Sequence, residues 1–153
     1  MAFVFACELP DDLWYRVDQD VWIRVLPDGV VRMGMTDPAQ TRAGKILHVR
    51  VRTGKRLLPG QSLATVESGK WVGPVPTPLA GVVGAGNPRI ADDPGLINRD
   101  PYGLGWVAEF RPEAAIDAWS AAGLMYGPEA LDAYHEKLQA ENLSCVRCAD
   151  PAP

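Results

Sequence analysis

The chain predicts a mostly β domain, a flattened barrel or sandwich followed by C-terminal helices. Three observations carry that prediction. Short runs of strand-forming residues recur through the first 110 residues. Glycine and proline, 15 and 14 in number, punctuate those runs and favour many defined turns. Beyond Phe110 the composition turns to alanine and other helix formers. At 153 residues, with 47% hydrophobic and 22% charged side chains, the chain is long and apolar enough to bury one core. The expected organisation is a single domain over 1–153, with a β core over 13–110, helices over 111–143 and a mobile tail over 144–153.

Leu13 to Val17 and Val21 to Leu26 alternate as strands do, and Pro27-Asp28-Gly29 is a turn after them. Val30 to Met35 is a further strand. Thr36-Asp37-Pro38 then starts a short helix, with Thr36 or Asp37 as its cap and Pro38 at its first position, and Gly44 ends it. Ile46, Val49 and Val51 mark the next strand, which runs into Thr53-Gly54-Lys55. Pro59-Gly60 is a turn. Pro74 to Pro78 is extended and proline-rich, so it belongs at a sheet edge. Gly81, within Leu79 to Val83, suggests a tight turn or bulge. Trp106 to Phe110 is the last strand. Helices are expected over Pro112 to Ala122 and Pro128 to Asn142. In the second, Leu131, Tyr134 and Leu138 share one face and should dock on the sheet.

Several function classes are disfavoured by composition. No apolar run is long enough for a membrane span, and Met1 to Cys7 lacks the basic start of a secretory leader, so a cytoplasmic location is the default. A net charge of −4 argues against nucleic acid as the main partner. The basic residues Lys45, Arg50, Arg52, Lys55 and Arg56 suit the solvated face and turn of an edge strand. No serine–histidine–acid set or phosphate-binding glycine loop is present, which leaves independent catalysis without support.

Glu67-Ser68-Gly69-Lys70-Trp71 reads as a hairpin tip between the strand leading up to Ser68 and the one resuming at Trp71-Val72. Gly69-Lys70 fits a two-residue type II′ turn, which would place Lys70 in solvent for modification or recognition. Taken alone, a Gly-Lys pair is more often a solvated turn.

The surrounding segments add to it. Val21-Trp22, Met33-Gly34-Met35-Thr36 with Ala39-Gln40, and Gly44-Lys45-Ile46 precede the tip. Pro78-Leu79-Ala80-Gly81-Val82-Val83 and Asn98-Arg99-Asp100-Pro101-Tyr102-Gly103-Leu104-Gly105-Trp106 follow it. With Val66-Glu67-Ser68-Gly69-Lys70 they resemble the glycine cleavage system H proteins, of the biotinyl/lipoyl-carrier fold, over roughly Leu13 to Phe110. The resemblance implies lipoate amide-linked to Lys70, with Glu67, Ser68, Gly69 and Trp71 as recognition context. It implies a non-catalytic, monomeric carrier served by a lipoate-attaching ligase or transferase. Biotin carriers usually flank their lysine with methionines, and Gly69 and Trp71 stand there instead.

The chain departs from the usual H-protein pattern at four places. Gly69 and Trp71 replace a customary valine and alanine, Asp20 replaces a histidine, and Cys7 and Cys145-Val146-Arg147-Cys148 are added. Together with Glu-Ser-Gly-Lys-Trp-Val-Gly-Pro-Val and the N-terminal Ala-Cys-Glu-Leu-Pro-Asp-Asp-Leu, these features resemble the lipoate-binding proteins of the sulfur-oxidising heterodisulfide-reductase-like system. That branch implies an arm carrying sulfur intermediates, with a heterodisulfide-reductase-like complex and a dihydrolipoamide dehydrogenase-type enzyme as partners. The alternative is an aminomethyl carrier serving glycine cleavage enzymes, and a second alternative is an unmodified binding module.

Three cysteines do not amount to a disulfide framework. Cys7, Cys145 and Cys148 are candidates for redox exchange with a dithiolane, against the reading of Cys7 as a small buried apolar residue and the tail pair as incidental. Beyond the Cys-x-x-Cys pair only Cys7, His48 and His135 remain as soft ligands, so no metal site is expected. Trp14, Trp22, Trp106 and Trp119 are assigned to packing, and Trp71 to partner contact.

Overall fold

In the computed structural model, residues 2–149 are described and form two β-sheets packed face to face, with a small terminal hairpin and helices around them. The strands are β1 (Ala2–Val4), β2 (Cys7–Leu9), β3 (Trp14–Arg16), β4 (Val21–Val25), β5 (Val31–Met35), β6 (Ile46–Val51), β7 (Arg56–Leu57), β8 (Ser62–Ser68), β9 (Val72–Pro76), β10 (Gly81–Gly86), β11 (Ala108–Pro112) and β12 (Met125–Tyr126). The helices are α1 (Asp37–Ala43), α2 (Pro88–Asp92), α3 (Leu96–Arg99) and α4 (Pro128–Glu141). One sheet runs β12-β3-β4-β5-β11-β10-β7, the second β6-β8-β9, and β1 pairs with β2 alone. All of these pairings are antiparallel. The sheets stack as a sandwich and do not close into a barrel.

Local chemistry explains most elements. Gly29 takes φ +82° after Pro27-Asp28, and the Asp28 carboxylate accepts the Val30 amide at 3.2 Å. Thr36 caps α1 by accepting the Ala39 amide at 3.3 Å, with Pro38 in the first turn and Gly44 ending the helix at φ +83°. Proline-rich β9 occupies an edge of its sheet, as its missing donors require. Along α4, Tyr134 and Leu138 are fully buried and Leu131 partly so, and Asn142 ends the helix in the left-handed conformation.

Three expectations are corrected. Gly81 is neither turn nor bulge: it lies within β10, where a Cβ would sit 2.3 Å from the Arg111 carbonyl oxygen, so the ladder requires a bare Cα. The register shift falls later, between Val83 and Gly86. The alanine-rich stretch after Pro112 forms only a 3₁₀ turn at Ile116–Ala118, because Pro112 is still paired in β11 and Trp119 is drawn into the core. The expected helices over 111–143 therefore reduce to that turn and α4, separated by β12.

The tail is the third correction. Residues 144–149 are docked rather than free, and residues 150–153 of the expected mobile segment lie outside the described residues. The Cys145 amide donates to the Phe5 carbonyl at 3.1 Å, the Val146 amide to Thr41 Oγ1 at 3.2 Å, and the Cys148 amide to Gln40 Oε1 at 3.0 Å. Arg147 pairs with Glu8 at 2.6 Å and with Asp37 at 3.2 Å.

Two buried clusters result. The first lies between the sheets and is largely aliphatic, with Ile23, Met33, Leu63, Val66, Val75 and Phe110 among its members. The second lies outside the larger sheet, under the hairpin and α4, and combines Leu9, Tyr15, Trp22, Tyr102, Tyr134 and Leu138 with Cys7. Among the described residues no helix is long and apolar enough to cross a membrane.

Candidate functional site

Lys70 stands at the tip of the β8–β9 hairpin with its side chain exposed. The tip is not a type II′ turn, since Gly69 has no positive φ. Closure comes instead from Ser68, whose amide donates to the Trp71 carbonyl at 2.7 Å. The Ser68 hydroxyl donates to the Ala43 carbonyl at 2.6 Å and accepts the Lys70 amide at 3.3 Å. Ser68 is therefore a buried brace between hairpin and α1, not a displayed contact. Glu67 is exposed, opposite His48 on β6 and Val72 on β9. Nothing lies within 4 Å of where a Gly69 Cβ would be, so that position tolerates a side chain.

The lysine stem lies over Gly44. A Cβ at Gly44 would come 2.8 Å from Lys70 Cε, a contact the flexible stem can relieve, so it is the positive φ that favours glycine there. Beneath Gly44 sits a buried amide network. The Asn98 side chain donates to the Gly44 carbonyl at 2.8 Å and to Gln40 Oε1 at 3.0 Å, and accepts the Ile46 amide at 2.8 Å. Gln40 in turn donates to Asp37 at 2.8 Å and to the Val146 carbonyl at 2.7 Å. The same segment continues to Tyr102, whose hydroxyl donates to the Glu8 carbonyl at 2.6 Å and accepts the Asp37 amide at 2.8 Å. Pro101 contributes a carbonyl that accepts the Trp22 indole N–H at 3.0 Å. The dispersed motifs around Gln40, Gly44 and Asn98 to Trp106 thus converge on one platform under the lysine.

Trp71 is half-buried and folded back, against the expectation of a displayed aromatic: its ring covers Gly73, where a Cβ would meet Cζ2 at 2.0 Å. It forms one wall of a cavity of about 230 Å³. Val21, Met35, Ala43 and Val75 supply apolar lining, and Gln19, Asp20 and Arg42 supply polar groups. Asp20 adopts a left-handed backbone and gathers Arg42, Lys137 at 3.1 Å and the Tyr134 hydroxyl at 3.1 Å. Gln19 Oε1 is buried without a hydrogen-bond partner among the described residues. These residues escaped sequence reasoning because their partners lie up to 117 positions away; the one signal was that Asp20 departs from the usual histidine.

Burial raises the phenol pKa of Tyr15, Tyr102 and Tyr134 above the ordinary value. The hydrogen bond from Arg16 holds the Asp18 carboxyl below its usual range.

The cysteines are the largest revision. Cys7 and Cys145 form a disulfide across 138 positions, with Cα atoms 4.7 Å apart, so Cys7 is not simply a small buried residue and Cys145 is not incidental. Cys148 is a free, half-buried thiol over α1, its Sγ 3.7 Å from the Thr41 carbonyl oxygen. Among the described residues no three His, Cys, Asp or Glu side chains gather to hold a metal. His48 is exposed, and His135 stacks on Phe5 with ring centres 5.2 Å apart.

A covalent lipoyl group fits this arrangement. The lysine is reachable on a braced tip, and the neighbouring cavity offers apolar walls with a polar rim of Asp20 and Arg42. Comparisons with known proteins agree. The family model for the glycine cleavage H-protein matches residues 14–137. The glycine cleavage system H protein 3 of Aquifex aeolicus is 39% identical over 146 residues, covering 94% of this chain and 90% of its own. A probable glycine cleavage system H protein 2 of Sulfolobus acidocaldarius is 38% identical over 144 residues, covering 92% and 95%. The crystal structure of a glycine cleavage system H protein from Mycobacterium marinum superposes with TM-score 0.69 at 29% identity, over 88% of this chain and all of that one. The chain belongs to the glycine cleavage H-protein family, whose members are non-catalytic carriers of a lipoyl group bound covalently to a lysine.

Proposed function

We propose that Lys70 is the attachment lysine and that this chain presents the arm to client enzymes. The observation that carries the reading is the stem of Lys70 resting on Gly44 at a braced hairpin tip, beside the cavity walled by Ala43 and Trp71. The lipoyl group supplies a dithiolane that is opened by reduction and takes up the transferred group. The protein supplies a rigid base, so the freedom of the arm begins at the lysine and the tip offers enzymes a constant surface. Glu67, Gly69 and the exposed Val72 lie around it for recognition by the attaching enzyme.

For the transferred group, the aminomethyl unit of glycine cleavage leads. The named relatives support it. A second reading, carriage of sulfur intermediates to a heterodisulfide-reductase-like complex, draws on Gly69, Trp71 and Asp20 in place of the usual residues and on the added cysteines. A single assay separates them. The lipoylated chain is incubated with glycine and a standard glycine decarboxylase, and in parallel with a sulfane-sulfur donor, and the intact mass is followed. An aminomethyl mass gain supports the first reading; refusal of that group with uptake of sulfur on the arm supports the second. In both, a dihydrolipoamide dehydrogenase-type enzyme reoxidises the arm.

A further inference from the structure

We propose that the Cys7–Cys145 bridge is a thiol–disulfide exchange site for a dithiol, and that opening it unlatches residues 144–149 and loosens the platform under Lys70. Four observations carry this. First, the two residues of the bridge differ in exposure, Cys7 being fully buried and Cys145 half-buried, so the side open to an attacking thiolate is that of Cys145.

Second, the turn beside the bridge is strained. Phe5 and Ala6, the two residues joining β1 to β2, both have positive φ, at 50° and 63°, a conformation that residues with a Cβ avoid. The Phe5 carbonyl at that turn accepts the Cys145 amide and, at 2.9 Å, the Ser144 hydroxyl. The bridge therefore holds a disfavoured turn against the C-terminal segment.

Third, apart from the bridge that segment is held by polar contacts with little apolar burial behind them. Val146 is 62% exposed, and the remaining contacts are hydrogen bonds and the ion pairs of Arg147 with Glu8 and the buried Asp37. Fourth, those hydrogen bonds lead to the lysine. Cys148 and Val146 bind the Gln40 side chain, Gln40 binds Asn98, and Asn98 holds the Gly44 carbonyl and the Ile46 amide. Losing the tail leaves Gln40 with two vacated partners at the head of a buried network.

The step balances with one reactant. A thiolate of the dithiol attacks Cys145 Sγ, the Cys7–Cys145 bond breaks, and Cys7 leaves as a thiolate that takes a proton. The second thiol then displaces Cys145 and closes the reagent into a cyclic disulfide. Two electrons pass from the dithiol to the bridge, and two protein thiols form.

The test treats the oxidised chain with dithiothreitol, following thiol formation by alkylation and mass and backbone mobility by hydrogen exchange. The bridge should open under native conditions, and exchange should rise together, by tenfold or more, across 144–149 and 40–46, while β4 and β5 keep their protection. Cys145→Ser should show the same pattern without reductant, and Cys148→Ser should not. Opening of the bridge with exchange over 40–46 unchanged would overturn the proposal by reducing the bridge to a staple. So would a bridge that resists excess dithiol until the chain unfolds. Because the reductant titration uses the unaltered chain, a Cys145→Ser variant that fails to fold leaves the result readable. The reading is independent of what Lys70 carries, since Lys70→Arg should behave identically.

Discussion

The two buried clusters are built on different principles. Between the sheets, the packing is aliphatic and comes from alternating residues on β4, β5, β8 and β11, so it follows from each strand's own pattern. Outside the larger sheet, the packing is aromatic, and each tyrosine carries a polar tip fixed to another segment, near for Tyr15 and distant for Tyr102 and Tyr134. Tyr15 donates to the Pro10 carbonyl, Tyr102 to the Glu8 carbonyl and Tyr134 to Asp20. The first cluster is held by area and tolerates gradual change, whereas the second is wired, and loss of one partner strands another. The lysine platform sits where the two meet, through α1 and Asn98. Lys70 thus rests on a shape set by the first cluster and latched by the second.

High pH should attack the second cluster alone, and with the largest effect. Its three buried phenols ionise far above 10.0, the ordinary value, because burial disfavours the charged form. The folded state therefore holds its protons while the unfolded chain releases them. The associated stability is fully present below that ordinary value and is lost as pH rises toward the folded values. With three such groups the loss approaches about 4 kcal/mol per pH unit. Denaturant melts across this range should show it, with tyrosinate absorbance from these residues appearing only as the chain unfolds.

Asn98→Ala attacks the junction. It removes a partner from the Gly44 carbonyl, the Ile46 amide and the Gln40 side-chain Oε1 at once, all in buried residues, and should cost about 3 kcal/mol or more. Urea unfolding measures it, and a loss under about 1 kcal/mol would mean that water substitutes for the amide. Ser68→Ala should be milder, about 1–2 kcal/mol, since it orphans only the Ala43 carbonyl and the Lys70 amide. Attachment to Lys70 should slow in this variant, because the tip loses its brace to α1. Gly69→Ala should change stability by less than about 0.5 kcal/mol, given its ordinary φ and open surroundings. A large loss there would show that the tip depends on its glycine after all.

Legibility follows the same division. Strands β3 to β6, β8 and β11, the Thr36 cap, the Gly29, Gly44 and Gly60 turns, edge strand β9 and the buried face of α4 were readable because each depends on a few neighbouring residues, whereas the short β1, β2, β7 and β12 were not. The exposed hairpin tip at Lys70 was readable because it depends on the two strand runs that flank it. The Cys7–Cys145 bridge, the docked tail and the Asp20 cluster were not, since each joins segments that only the completed fold brings together. The turn at Gly69 was misread because glycine permits a positive φ without requiring it. The failed helix after Pro112 shows propensity yielding to pairing in β11 and to the burial of Trp119.

The central claim is that Lys70 alone bears the arm. Intact-mass and peptide analysis of the chain after treatment with a lipoate ligase tests it directly, beside Lys70→Arg. The account predicts one lipoyl group, mapped to the peptide containing Lys70, and none on the variant, whose unfolding curve should match the parent. Lipoylation elsewhere, lipoylation of the variant, or a parent chain that refuses the group would contradict it.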